Sequence, residues 1–282
     1  MKLNKYYTLS NNILIPSVAF GTWKIPNGID TYNAVRNALD SEYKHIDTAY
    51  IYENEESVGK AIKESYIPRE DIFVTTKLWN SEHSYQKAIN AFEDSLKRLN
   101  LDYLDMYLIH WPNPKELRDQ FEESIINTWK AMVKLYEEKK VKVIGVSNFF
   151  PHHLQVIKNN FSINPIVNQI RLFPGSQNFK TIDYCQKEKI LLEAYSPFGG
   201  GEIFKAPELI ELSEKYNKTI GQICIRWSLQ MGFLPLPKTI SPQRMKENID
   251  VFDFELSKSD LKMLKGIKNY CGPNPNPDKI HF

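Results

Sequence analysis

The chain has 282 residues, 42% of them hydrophobic and 25% charged, which suits one large buried core or two small ones. A formal net charge of +2 excludes the basic footprint of a nucleic-acid binder, and with no apolar run of about 18 residues no membrane-spanning helix is expected. The opening "MKLNKYYTLSNN" lacks the apolar core of a signal peptide, and only Cys185, Cys224 and Cys271 are present, with no C-x-x-C, so a reduced, cytoplasmic setting is expected.

Residues 6–15 read as a hairpin turning at Asn11-Asn12. "SVAF" then leads into Gly21, and Ala34, Val35, Ala38 and Leu39 form the apolar stripe of a helix. "HID" ends at Asp47, with Tyr52 just beyond it and a helix beginning near Asn54. "DIFVTTK" ends at Lys77, and the stripe Ile89, Phe92, Leu96, Leu99 comes after it. "DMYLIH" ends at His110. Only a short segment separates Trp111 from the next helix near Phe121, which predicts an open, permissive mouth. The stripe Ile125, Trp129, Met132, Tyr136 leads to "VKVIGVS", ending at Ser147.

His152 and His153 are adjacent rather than spaced i, i+4, so capping or solvent exposure is expected of them rather than metal binding. "PIVNQ" ends at Gln169, "ILLEAY" at Tyr195 and "GFLPLPK" at Lys238. Ser241 with Pro242, and Ser257, are helix N-caps. A Pro/Gly/Asn-rich coil over 266–282 closes the chain and is expected near the mouth to which the strand ends below converge. Eight strand-then-helix units in this length predict a single α/β domain over 1–282, a (β/α)8 TIM barrel with an N-terminal hairpin and a C-terminal coil. A doubly wound sheet is the rival. It would show G-x-G-x-x-G after its first strand if it bound a dinucleotide, and "GTWKIPNG" is not that.

In a parallel barrel every strand ends at the same mouth. Asp47 with Tyr52, Lys77 and His110 should therefore converge. Each alone has a plain reading: a helix cap, a solvated lysine, a core histidine. Together they form a set for reducing a carbonyl, whose oxygen must gain a proton. A phenol titrates near pH ~10, too high for an efficient acid. An ammonium about 4 Å away would favour phenolate by about 4 kcal/mol at an effective dielectric of ~20. Asp47 would keep a buried Lys77 charged, and His110 would orient the carbonyl oxygen.

These residues resemble the aldo-keto reductase superfamily. The matching stretches are "GTW" (21–23), "DTAYIYENEESVG" (47–59), "TTKLW" (75–79), "YLIHWP" (107–112), "IGVSNF" (144–149), "NQ" (168–169), "AYSPFGGG" (194–201) and "LPKTISPQRMKEN" (236–248), in family order along nearly the whole chain. The resemblance implies NADPH as cofactor. It implies Ser147, Asn148 and Gln169 at the nicotinamide carboxamide, Tyr195 stacked on the ring, and Ser196 at the pyrophosphate. It places Lys238, Thr239, Arg244 and Asn248 at the adenosine 2′-phosphate and adenine, and Gly21 and Thr22 among the cofactor contacts. Trp23, Trp79 and Trp111 would wall the substrate pocket.

The likeness is greatest to short-loop bacterial members that reduce methylglyoxal-like dicarbonyls, diketo-sugar acids and generic aldehydes. One departure is visible: Arg171, Leu172 and Phe173 stand after Gln169 where family members commonly show an acid, an aromatic and a histidine. Arg171 is read as a surface arginine binding neighbouring acids, with anion recognition as the alternative. The expectation is a monomeric NADPH-dependent reductase of small carbonyl compounds, with no metal, nucleic-acid or membrane partner. Two rivals are a non-enzymatic NADPH sensor on the same fold and a metal-dependent barrel hydrolase. The hydrolase would need an H-x-H cluster that the chain lacks.

Overall fold

The computed structural model describes residues 5–282. Residues 1–4, which begin the segment read as lacking a signal-peptide core, lie outside the described residues. The hairpin strands β1 (Tyr6–Thr8) and β2 (Leu14–Pro16) pair antiparallel, Tyr7 opposite Ile15. Asn12 turns the chain at φ 65, a left-handed conformation that asparagine tolerates. The Asn11 amide donates to the Lys142 carbonyl at 3.0 Å, which ties the hairpin across the base of the main sheet.

That sheet has eight parallel strands: β3 (Phe20–Gly21), β4 (His45–Asp47), β5 (Phe73–Leu78), β6 (Leu104–Ile109), β7 (Val141–Ser147), β8 (Val167–Arg171), β9 (Leu191–Tyr195) and β10 (Leu234–Leu236). They neighbour one another in chain order. The ring closes where the Ala19 and Gly21 amides donate to the Pro235 and Pro237 carbonyls at 3.0 and 3.1 Å. This is the expected (β/α)8 barrel, and each strand falls on its apolar run. His110 lies one residue past β6 rather than within it.

Around the strands run α1 (Ile29–Asp40), α2 (Glu55–Lys63), α3 (Tyr85–Leu99), α4 (Phe121–Glu137), α5 (Pro151–Asn160), α6 (Phe179–Lys187), α7 (Pro207–Tyr216), α8 (Ile220–Gln230), α9 (Pro242–Ile249) and α10 (Lys258–Gly266). The stripes turn inward as spacing requires: Ile125, Trp129 and Met132 of α4 are fully buried, and the Trp129 indole donates to the Ile163 carbonyl at 2.9 Å. Ser241 and Ser257 accept from the first-turn amides of Arg244 and Asp260, satisfying donors that a helix start leaves open. A side chain at Gly59 would meet the Leu99 carbonyl at 1.9 Å, so α2 can cross the end of α3 only with glycine there.

The core has two layers. Leu9, Ile15, Met106, Leu108, Val143 and Leu234 are among the side chains that fill the barrel, with the hairpin as its floor, and a larger apolar layer lies between strands and helices. No described helix is long and apolar enough to cross a membrane.

Candidate active site

The C-terminal strand ends open into a cavity of about 1150 Å³. The central group is Lys77, on β5, with no exposed surface. Its Nζ donates to Asp47 Oδ1 at 2.6 Å, to the Thr48 carbonyl at 2.9 Å and to the Tyr52 hydroxyl at 3.4 Å. Asp47 ends the neighbouring strand β4, in register with Thr75 of β5. Tyr52 ends a short 3-10 turn, Tyr50–Tyr52, that leaves β4. Burial would discharge Lys77, but the Asp47 charge, the neighbouring Tyr52 and the Asp47 hydrogen bond hold its pKa above the ordinary lysine value.

The expected depression of Tyr52 is not what this geometry gives. Burial raises the phenol, Lys77 lowers it, Asp47 raises it again, and the outcome lies above the ordinary value. Burial is the largest cause. The ammonium sits 3.4 Å from the phenol, and the Asp47 charge 2.6 Å from that ammonium cancels part of its pull. Lys77 therefore limits a rise rather than producing a fall.

His110 closes the group. Its ring stands edge-on to Tyr52 at 5.9 Å and to Trp79 at 5.2 Å. Burial, with Lys77 added, holds its pKa well below the usual imidazole value, so it is neutral. Its Nδ1 is buried without a partner among the described residues.

Other expected residues gather on the same cavity. Gly21, Ser147, Asn148, Gln169, Tyr195, Ser196, Lys238, Thr239, Arg244 and Asn248 all line it, as do Trp23, Trp79 and Trp111. Lys77 lies just behind the wall. Thr22 is also behind it: its hydroxyl donates to the Asp47 carbonyl at 3.0 Å, so it braces β3 against β4 instead of facing the cavity. The Ser147 hydroxyl donates to the Gln169 carbonyl at 2.9 Å, and the Asn148 amide donates to the His110 carbonyl and to Ser147 Oγ, both at 3.0 Å. The Tyr195 hydroxyl donates to Asn148 Oδ1 at 2.9 Å. One connected network thus spans β6 to β9.

At the opposite end, Lys238 and Arg244 stand exposed at the capped start of α9. Among the described residues neither side chain has an ion-pair or hydrogen-bond partner. Two uncommitted cations beside a helix N-terminus fit a phosphate dianion. Between the two ends, Ser196, Gly199, Gly200 and Gly201 all have positive φ, a loop whose backbone can approach a bound group closely.

Two features escaped the strand-end logic. The mouth is not open beside Trp111. The C-terminal coil folds over it, and Phe282 stacks on Trp79 (5.6 Å, 18°) and meets Trp111 edge-on at 5.4 Å. Arg171 holds that coil in place. Its guanidinium donates to the carbonyls of Cys271, Gly272 and Pro273 and to Asn274 Oδ1, at 3.0 to 3.3 Å. It binds carbonyl oxygens rather than the acids expected of it.

Asp278 of the same coil accepts from His153 Nε2 at 2.8 Å and lies 3.3 Å from His152 Nε2. These three groups are close enough to hold a metal ion. However, His153 Nδ1 accepts from the Phe150 amide at 3.1 Å. That bond puts the ring proton on Nε2, the nitrogen a metal would need. His153 therefore caps α5 and pins the coil, while His152 is exposed, as the adjacent spacing implied.

The model of the Aldo/keto reductase family matches residues 17–269. The chain belongs to the Aldo/keto reductase family. It is 45% identical over 276 residues to the 9,11-endoperoxide prostaglandin H2 reductase of Trypanosoma cruzi, covering 97% of this chain and 95% of that protein. It is 42% identical over 274 residues to the glyoxal reductase of Bacillus subtilis, covering 97% and 96%. Among solved structures, a mutant of Gox0644 in complex with NADPH superposes with a TM-score of 0.91 at 34% identity, covering 100% of both chains.

Proposed function

We propose that this aldo-keto reductase reduces small aldehydes and dicarbonyls such as methylglyoxal to alcohols, with NADPH as the cofactor. The observation that carries this is the Asp47–Lys77–Tyr52 contact chain at one end of a single cavity whose other end presents two uncommitted cations. The glyoxal reductase relative and the NADPH-bound structural neighbour support the reading.

When bound, the nicotinamide would supply the two electrons and the hydrogen that reach the carbonyl carbon. Ser147, Asn148 and Gln169 would hold its carboxamide, Tyr195 its ring, Ser196 and the following glycines the pyrophosphate, Asn248 and Thr239 the adenosine, and Lys238 with Arg244 the 2′-phosphate. The chain's own work is proton delivery and orientation. Tyr52 gives its hydroxyl proton to the carbonyl oxygen, and Lys77 stabilises the phenolate left behind. Asp47 keeps Lys77 charged. A neutral His110 fixes the oxygen by a hydrogen bond without competing as an acid. Trp23, Trp79 and Trp111, with Phe282, exclude water from the reacting carbonyl. A cytoplasmic monomer acting on freely diffusing substrates completes the proposal.

The test is turnover of NADPH, with NADH as control, on glyoxal, methylglyoxal and aromatic aldehydes. A protein that binds NADPH yet reduces none of them would move the sensor reading ahead of the enzyme. For the cofactor end, Arg244→Ala and Lys238→Ala should each raise the NADPH dissociation constant about tenfold or more, since each removes a charge-assisted bond to phosphate. NADH binding should be nearly unchanged. Fluorescence titration with both cofactors measures this, and equal weakening of both would rule out a 2′-phosphate site there.

A further inference from the structure

Glu193 has no place in the proton-delivery scheme, yet it is fully buried inside the barrel wall, on β9, two residues before Tyr195. Its Oε2 accepts from Gln169 Nε2 at 2.7 Å. The same nitrogen donates its second hydrogen to Asp47 Oδ2 at 2.9 Å. One amide thus bridges two acids on different strands. With both N–H bonds directed inward, the Gln169 carbonyl oxygen is the only part of that side chain left to face the cavity that Gln169 lines.

We propose that Glu193 is a positioning residue: with Asp47 it clamps the Gln169 amide in one orientation and presents Gln169 Oε1 to the cofactor's carboxamide, and it does so as a neutral carboxylic acid. The carboxamide part rests on the cofactor reading above; the clamp does not. Neutrality comes from the local charges. The groups facing Glu193 are Asp47 and Lys77, which already balance each other. In register on the flanking strands stand Gln169 and Leu234, which carry no charge. A second buried carboxylate would have no cation of its own. Burial first, and then the Asp47 charge, push the Glu193 carboxyl up to about 8. Its Oε1 is buried without a partner among the described residues, which suits the proton-bearing oxygen better than half of a charged carboxylate.

Between the ordinary glutamate value and about 8, Glu193 is neutral in the folded chain and ionised in the unfolded one. Stability is therefore lost as pH rises through that window. Above it the clamp carries a second negative charge beside Asp47.

The experiment compares wild type with Glu193→Gln and Glu193→Leu. The first readout needs no cofactor: the side-chain amide resonances of Gln169, assigned with Gln169→Leu, are followed against pH. They should titrate near pH 8 in wild type and stay flat in Glu193→Gln, which mimics the neutral acid. The second is NADPH binding by fluorescence. Glu193→Gln should bind within about twofold of wild type at neutral pH, and Glu193→Leu about tenfold more weakly, the loss of one hydrogen bond's constraint.

Unchanged NADPH binding in Glu193→Leu would overturn the positioning role. Equal weakening in both variants at neutral pH would overturn the neutral form, because a charged acceptor would then be required. If wild type bound no NADPH, the cofactor reading would fail by itself, and the amide titration would still decide the clamp.

Discussion

Tyr52→Phe should lower kcat/KM on any substrate the protein turns over by about 10²–10⁴ while leaving NADPH affinity nearly unchanged. The substitution removes one oxygen and keeps the ring, so the edge contact with His110 and the position beneath Lys77 survive. What is lost is, among the described residues, the only hydroxyl that Lys77 touches at the cavity wall. Steady-state rates and a cofactor titration on the same preparation separate the two effects. A variant retaining about a tenth or more of wild-type turnover would mean that another group, with His110 first in line, delivers the proton. Because burial holds Tyr52 above the ordinary phenol value, the acid form persists across neutral pH. The rate should not fall on its account until the solution is strongly alkaline.

Lys77→Met should cost about 3–5 kcal/mol of folding stability, the largest effect expected of any single substitution here. Methionine fills the lysine volume but leaves Asp47 buried with no cation, holding only the Gln169 amide. Activity should disappear as well, but stability is the sharper readout because it needs no substrate. Denaturant unfolding of Lys77→Met beside Lys77→Met/Asp47→Leu tests the cause. The double variant should recover most of the loss, since it removes the stranded charge. If the double variant is no more stable than the single, the cost is packing rather than charge. The folded Lys77 holds its proton above the ordinary lysine value. Its pairing is therefore fully present below that value and lost only as pH rises beyond it, so the titration of Lys77 itself costs wild type no stability across neutral pH.

Much of this site was legible because barrel geometry converts strand ends into neighbours. Asp47, Lys77, His110 and Gln169 stand where apolar runs stop, and a parallel barrel brings those stops to one mouth. What stayed hidden lies off that rule. Glu193 sits inside "ILLEAY", and two-residue alternation puts it on the same face as Tyr195; an acid in such a run was the available signal. Phe282 and the partners of Arg171 come from a coil with no periodicity, so nothing local ties 271–274 to residue 171. The Tyr52 expectation erred for another reason. Charge proximity can be inferred from spacing, but the desolvation that opposes it depends on how completely the pocket closes.

The closure of the barrel has a consequence for how the ring holds together. In a parallel ladder a residue's amide and carbonyl point to the same neighbouring strand. The residues that meet Ala19 and Gly21 are Pro235, in β10, and Pro237, just past it, which accept from those two amides but have no amide hydrogen to return. The joint is stitched from one side only, between segments more than two hundred residues apart in the chain. Such a contact costs the most loop entropy and has the fewest bonds to offset it. The ring should therefore breathe first at this joint, and it runs beside Gly21 and Lys238. A cofactor gripped by both, as proposed, would act as the missing rivet, and its binding would then be coupled to mechanical closure of the barrel.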